Sequence, residues 1–67
     1  MIKQTIGENA GKIWQLLNKN GEMQLVELLK ISELEEADFN KSLGWLAREG
    51  KIAFYDEDNK QMATLIY

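Results

Sequence analysis

Neither cysteine nor histidine occurs among the 67 residues of this chain, and that double absence constrains its fold more than any other feature. A chain this short sits near the lower limit of what folds without a staple, and disulfides and thiolate metal sites are closed to it. Its stability has to come from one apolar core, with self-association as the remaining aid. The material is there: 45% of the residues are hydrophobic, with two Trp, two Tyr and two Phe among them. The missing histidine also removes the commonest general base and the commonest metal ligand. No glycine-rich phosphate loop is present, and no carboxylate or lysine pair falls in a recognisable cleft. The expectation is a non-enzymatic protein with no metal, cofactor or small-molecule substrate.

Hydrophobic spacing then divides the chain. Ile6, Ala10, Ile13, Trp14 and Leu17 recur with a helical period and predict an amphipathic helix over about residues 8–19, stopped by Asn20-Gly21, with Gly11 inside it to allow close packing. Glu22-Met23-Gln24 is a short extended piece, followed by a short helix over about 25–31 that only packing can hold. Ser32-Glu33-Leu34-Glu35 has the capping-box pattern and opens a third helix that ends at Glu49-Gly50, with Phe39, Leu43, Leu46 and Ala47 as its inward stripe. Residues 51–55 have strand propensity, with Ile52 and Phe54 on one face; 56–60 are turn residues, and 61–67 read as the returning strand. A hairpin alone is marginal, so it should pack on the helices and recruit Met23-Gln24 as a third strand. This order is that of a winged helix-turn-helix: mainly α, with three helices and a C-terminal β-hairpin wing, as one domain spanning residues 1–67.

Two blocks carry a resemblance. Ile6-Gly7-Glu8-Asn9-Ala10-Gly11-Lys12-Ile13-Trp14, followed by Leu43-Gly44-Trp45-Leu46-Ala47-Arg48-Glu49-Gly50-Lys51-Ile52, resembles a family of short, functionally uncharacterised bacterial winged helix-turn-helix proteins. The likeness covers nearly the whole chain. It implies the fold and brings no catalytic residues with it. The chain departs from the general helix-turn-helix pattern in the turn, where Glu33 stands in place of the frequent Gly and Glu35 in place of the usual Ser/Thr cap. Either Glu33 adopts a left-handed conformation at a cost of roughly 1 kcal/mol, or the third helix starts earlier, capped by Ser32.

Charge complicates the functional reading. The net charge is −3, whereas nucleic-acid binders are usually basic because phosphate contacts supply most of their affinity. The acid is concentrated late in the chain. Glu35, Glu36 and Asp38 open the third helix, where they complement its dipole but repel phosphate, and Asp56-Glu57-Asp58 occupy the wing tip. Lys3, Lys12, Lys19 and Lys30 are scattered over the first two helices as solvated charges. On the third helix Lys41, Trp45 and Arg48 fall at i, i+4 and i+7 and form one outward stripe with Ala37 and Gly44. A cation-aromatic-cation stripe suits phosphate contact with stacking, and it equally suits a protein hot spot; Trp45 packed into the core is the plainer alternative. Two functions therefore stay open: a DNA-binding module of the transcription-regulator type contacting duplex DNA, and a protein-interaction winged helix, as adaptor or homodimer. The apolar end Leu65-Ile66-Tyr67 would form a sheet edge able to pair with a second copy. The opening residues are too polar for a secretory signal and no apolar run is long enough to span a membrane, so the expected location is cytoplasmic.

Overall fold

The computed structural model describes residues 2–66, with side chains from Thr5 onward. Tyr67 and the side chain of Lys3 lie outside the described residues. Helix α1 runs from Ile2 to Asn20, β1 is Met23–Gln24, α2 is Leu25–Ser32, α3 is Glu36–Arg48, and β2 (Ile52–Glu57) and β3 (Lys60–Leu65) form the wing. The winged helix-turn-helix of three helices and a small antiparallel sheet is thus present, with Met23-Gln24 as its third strand.

Helix α1 begins six residues earlier than the apolar stripe indicates. Gly7 lies within it, and an interior glycine costs only about 1 kcal/mol, too little to stop a helix that packs well. The inward side chains Ala10, Ile13 and Leu17 meet Leu28 of α2, Phe39, Leu43 and Leu46 of α3, and Ile52 and Ala63 of the sheet. Full burial contributes roughly 1.5–3 kcal/mol for each large aliphatic group. Trp14, expected in this core, packs against it half-buried. Ala47, expected inward, is exposed, and Ser42 is buried in its place. The position is tolerable for a serine because its Oγ donates to the Asp38 carbonyl at 2.8 Å, satisfying the hydroxyl within the helix.

The turn between α2 and α3 resolves the two alternatives left by its sequence. Glu33 sits at φ 59°, ψ 20°, in the left-handed region. Helix α3 starts from an extended Glu35 with no side-chain capping bond, so Ser32 does not cap it. Ser32 instead closes α2. Its fully buried Oγ donates to the Leu29 carbonyl at 2.7 Å and accepts from the Leu34 amide at 3.2 Å. The capping-box reading fails because the hydroxyl is more valuable inside the turn, where water cannot reach those backbone groups.

Both helix-terminating glycines behave as expected. At the end of α3 the Gly50 amide bonds the Ala47 carbonyl and the Lys51 amide bonds the Leu46 carbonyl, each at 3.0 Å, with Gly50 at φ 69°. This is the Schellman arrangement, and it folds Lys51 back towards α3. The wing turn is tighter than its composition suggests. Only Asp58 and Asn59 form it, at φ 52° and 66°, so the strands extend to Glu57 and resume at Lys60. Two consecutive positive φ values match the twist of an antiparallel pair, and Asp and Asn tolerate them.

The sheet order is β1-β3-β2. The last strand is therefore central at Met62 and Ala63, which pair with Gln24 and Met23 on one side and with Tyr55 and Phe54 on the other, while β1 does not reach Leu65. The long open edge belongs to β2. Ser32→Ala should lower stability by about 1–2 kcal/mol, since it strands the Leu34 amide, while Glu33→Gly should raise it by about 0.5–1 kcal/mol. Urea unfolding followed by circular dichroism measures both; equal midpoints for all three proteins would contradict this account of the turn.

Candidate nucleic-acid interface

Exposure along α3 follows from helix geometry. With Phe39, Ser42, Leu43 and Leu46 turned inward, the opposite line carries Ala37, Lys41, Gly44 and Arg48, all exposed. Lys41 and Arg48 are two turns apart, about 10 Å along the axis, with only small side chains between them on that line. Trp45 lies about 40° around the helix from Lys41 and about 60° from Arg48, towards α1. It is 36% exposed. Its indole lines a crevice of about 260 Å³ between α1 and α3 together with Trp14, Gly7, Gly11 and Lys51. The three residues of the stripe thus share one sector, with the two cations fully outward and the indole on its α1 border.

The glycines of this crevice are not needed for close packing. A Cβ added at Gly7 or Gly11 would meet nothing within 4 Å, which corrects the expectation for Gly11. Lys51 was missed by spacing arguments because it lies outside the helix. The signal was available in Gly50, whose left-handed turn carries the next residue back beside the last turn of α3 and hence beside Trp45.

The acids occupy other ground. Glu35 and Glu36 stand exposed at the start of α3, and Asp56, Glu57 and Asp58 at the far end of the wing. Asn40, also missed, is exposed on the flank of α3 that faces the wing and lines a shallow pocket there with Glu36 and Gln61. Most of the exposed acid of this face thus lies at the entry of α3 and at the wing tip, while Lys41, Arg48 and Lys51 lie around its C-terminal half together with one exposed carboxylate, Glu49 at its C-cap. Among the described residues, no group of three or more acidic side chains is placed to hold a metal ion, and no helix is long and apolar enough to cross a membrane.

One wing residue responds to this acid. The Tyr55 hydroxyl donates to the Glu22 carboxylate, partial burial adds to the effect, and the charges of Glu22 and Glu57 oppose a phenolate, so its pKa rises from 10.0 to about 12. The bond ties the outer face of β2 to the loop ahead of β1.

These features define a winged helix-turn-helix protein whose third helix presents a small basic and aromatic surface. The chain belongs to the winged helix-turn-helix domain (DUF2582) family, whose model matches residues 1–65. It is 43% identical over 63 residues to the uncharacterised protein MJ1608 of Methanocaldococcus jannaschii, covering 90% of this chain and 89% of that one. That relative is archaeal, so the bacterial label given to the family was too narrow. Among solved structures, the solution structure of BT2368 from Bacteroides thetaiotaomicron matches with a TM-score of 0.84 and 31% identity over 97% of this chain and 79% of that one. The Zalpha domain of PKZ from Carassius auratus, solved in complex with Z-DNA, matches in fold with a TM-score of 0.77 and 21% identity over 91% and 97% of the two chains.

The raised Tyr55 pKa has a direct consequence for alkaline stability. Because the folded state favours the neutral phenol, its contribution is fully present below pH 10 and is lost as pH rises towards 12. In a Tyr67→Phe background, tyrosinate absorbance should titrate near 12 in the folded protein and at lower pH once Glu22→Gln removes the acceptor charge. Identical titrations would rule out the Tyr55–Glu22 bond.

Proposed function

We propose that this protein is a non-enzymatic nucleic-acid-binding module of the transcription-regulator type, working in the cytoplasm. It holds the sugar-phosphate backbone of a duplex through the C-terminal half of α3. The observation that supports the reading best is the exposed pair Lys41 and Arg48 on one helix line, with Trp45 and Lys51 beside them. Lys41, Arg48 and Lys51 supply phosphate contacts. Trp45 offers an indole edge for stacking or for packing on a sugar.

The usual mode, in which the start of the recognition helix enters the major groove, is disfavoured by Glu35 and Glu36, and a wing contact by Asp56, Glu57 and Asp58. Backbone contact through a few cations reads shape more than sequence. The fold neighbour's complex with left-handed DNA is in keeping with a shape-reading role for this architecture. A second reading, a protein-interaction module, is favoured by the exposed Phe54 and Val26 beside the acidic entry of α3.

Three phosphate contacts release few counterions, so log K against log salt should fall with a slope of about −2.7 on a B-form duplex. Lys41→Ala with Arg48→Ala should flatten it by about 1.8. Fluorescence titration against an alternating CG duplex, held in the right-handed or the left-handed form, gives both slopes and the shape preference. Failure to bind at tens of micromolar in low salt, or binding indifferent to salt, would sink the proposal.

A further inference from the structure

The crevice between α1 and α3 offers more than contact with a phosphate backbone requires. It measures about 260 Å³, with Gly7, Gly11, Trp14 and Gln15 of α1, Trp45 of α3 and Lys51 in its lining. Sites that enclose drug-sized ligands start at about 300 Å³, so this volume suits a single flat ring system. Gly7, Gly11 and Trp14 fall at i, i+4 and i+7 and share one line of α1. With no side chain at either glycine, that wall stays open ahead of Trp14. Neither glycine has a positive φ, and a Cβ at either would meet nothing within 4 Å.

Three observations specify what fits. First, both tryptophans of the chain line this one space. Indole faces stack on nucleobases of any sequence, because every base has a π-face. Second, Lys51 is the one charged side chain in the lining; Glu49, two residues before it, takes no part. The Gln15 amide both donates and accepts, as the edge of a base requires. Third, the crevice is continuous with the Lys41–Arg48 surface, since Trp45 borders both. A paired base is held in its stack and stays out of such a crevice, whereas an unpaired one is free to swing in.

We infer that this crevice takes one unpaired nucleotide of the bound nucleic acid. Its base stacks on the indoles of Trp45 and Trp14 and its phosphate meets Lys51, while Lys41 and Arg48 hold the flanking duplex. The inference rests on the nucleic-acid reading above and names the substrate class of that surface: a duplex carrying an extrahelical base. Unstacking costs least for a base that already lacks a partner, so such sites are selected over a continuous duplex.

Three dye-labelled probes test this: a fully paired duplex of mixed sequence, the same duplex with one extra unpaired adenine at its centre, and that bulge with its base removed to leave an abasic sugar. The adenine bulge should bind about tenfold more tightly than the paired duplex and quench the tryptophan emission. The abasic bulge should bind within about twofold of the paired duplex without that quenching, which separates base insertion from the easier bending of a bulged duplex. Gly11→Leu fills the crevice from a position with room for a side chain. It should erase the preference and leave affinity for the paired duplex unchanged, with the fold checked by circular dichroism. Lys41→Ala with Arg48→Ala should weaken all three probes by the same factor. Equal binding of paired and bulged duplexes, an abasic bulge bound as tightly as the adenine bulge, or a preference that survives Gly11→Leu would overturn the inference and leave the backbone reading standing. Binding of free AMP at micromolar concentration, with no gain from the bulge, would overturn it too, since a free nucleotide would then be the occupant. Failure of every duplex to bind at tens of micromolar in low salt would remove both readings.

Discussion

Every element of this structure depends on one small core into which α1 projects Ala10, Ile13 and Leu17. Neither α2, at eight residues, nor the hairpin would persist alone. Leu28 anchors the first, and Ile52 and Ala63 anchor the second, to the same apolar surface that holds α3. A domain of this size holds only a few kcal/mol of net stability, by the usual 0.05–0.15 kcal/mol per residue, roughly 3–10 kcal/mol in all. That is comparable with the loss expected from truncating one or two buried Leu or Ile side chains. The surface, by contrast, is free to vary.

That freedom shows in how charge is arranged. The α3 line opposite the core has no packing duty, and there the chain places Lys41 and Arg48 with Ala37 and Gly44 between and beside them. The Schellman turn at Gly50 adds Lys51 to the same region. Carboxylates collect where a helix start or an exposed turn accepts them at little cost, at Glu35, Glu36 and the wing tip. The C-terminal half of α3 therefore carries three cations against one carboxylate, Glu49, whereas its entry carries carboxylates. The net charge of −3 describes neither surface.

Much of the fold was readable from local signals. The helical stripe of α1, the glycine stops after α1 and α3, and the hairpin all appear where spacing and turn chemistry placed them. The errors have physical causes. Helix α1 runs further because one glycine, Gly7, costs only about 1 kcal/mol, too little to stop it. Ser32 was assigned to the wrong helix, since a serine followed by a glutamate three residues on satisfies a capping pattern whether or not the backbone bends there. The long wing turn shrank to Asp58-Asn59 because both residues can take positive φ, which let Glu57 and Lys60 pair instead. Strand order is beyond a local reading: that β3 lies between β1 and β2 follows from pairings between residues far apart in the chain.

The candidate surface divides in the same way. Periodicity by itself determined that Lys41, Trp45 and Arg48 share one side of a helix, because a period of 3.6 residues is a property of the backbone alone. The sequence also determined that acid sits at the entry of α3 and at the wing tip. Only the tertiary structure decided that Trp45 leans into a crevice with Trp14 and Lys51, that Phe54 stands half-exposed beside Leu25 and Leu43, and that β2 is the open edge. Those outcomes depend on how helices cross and strands order around the core, and contacts between residues far apart in the chain leave no periodic trace along it.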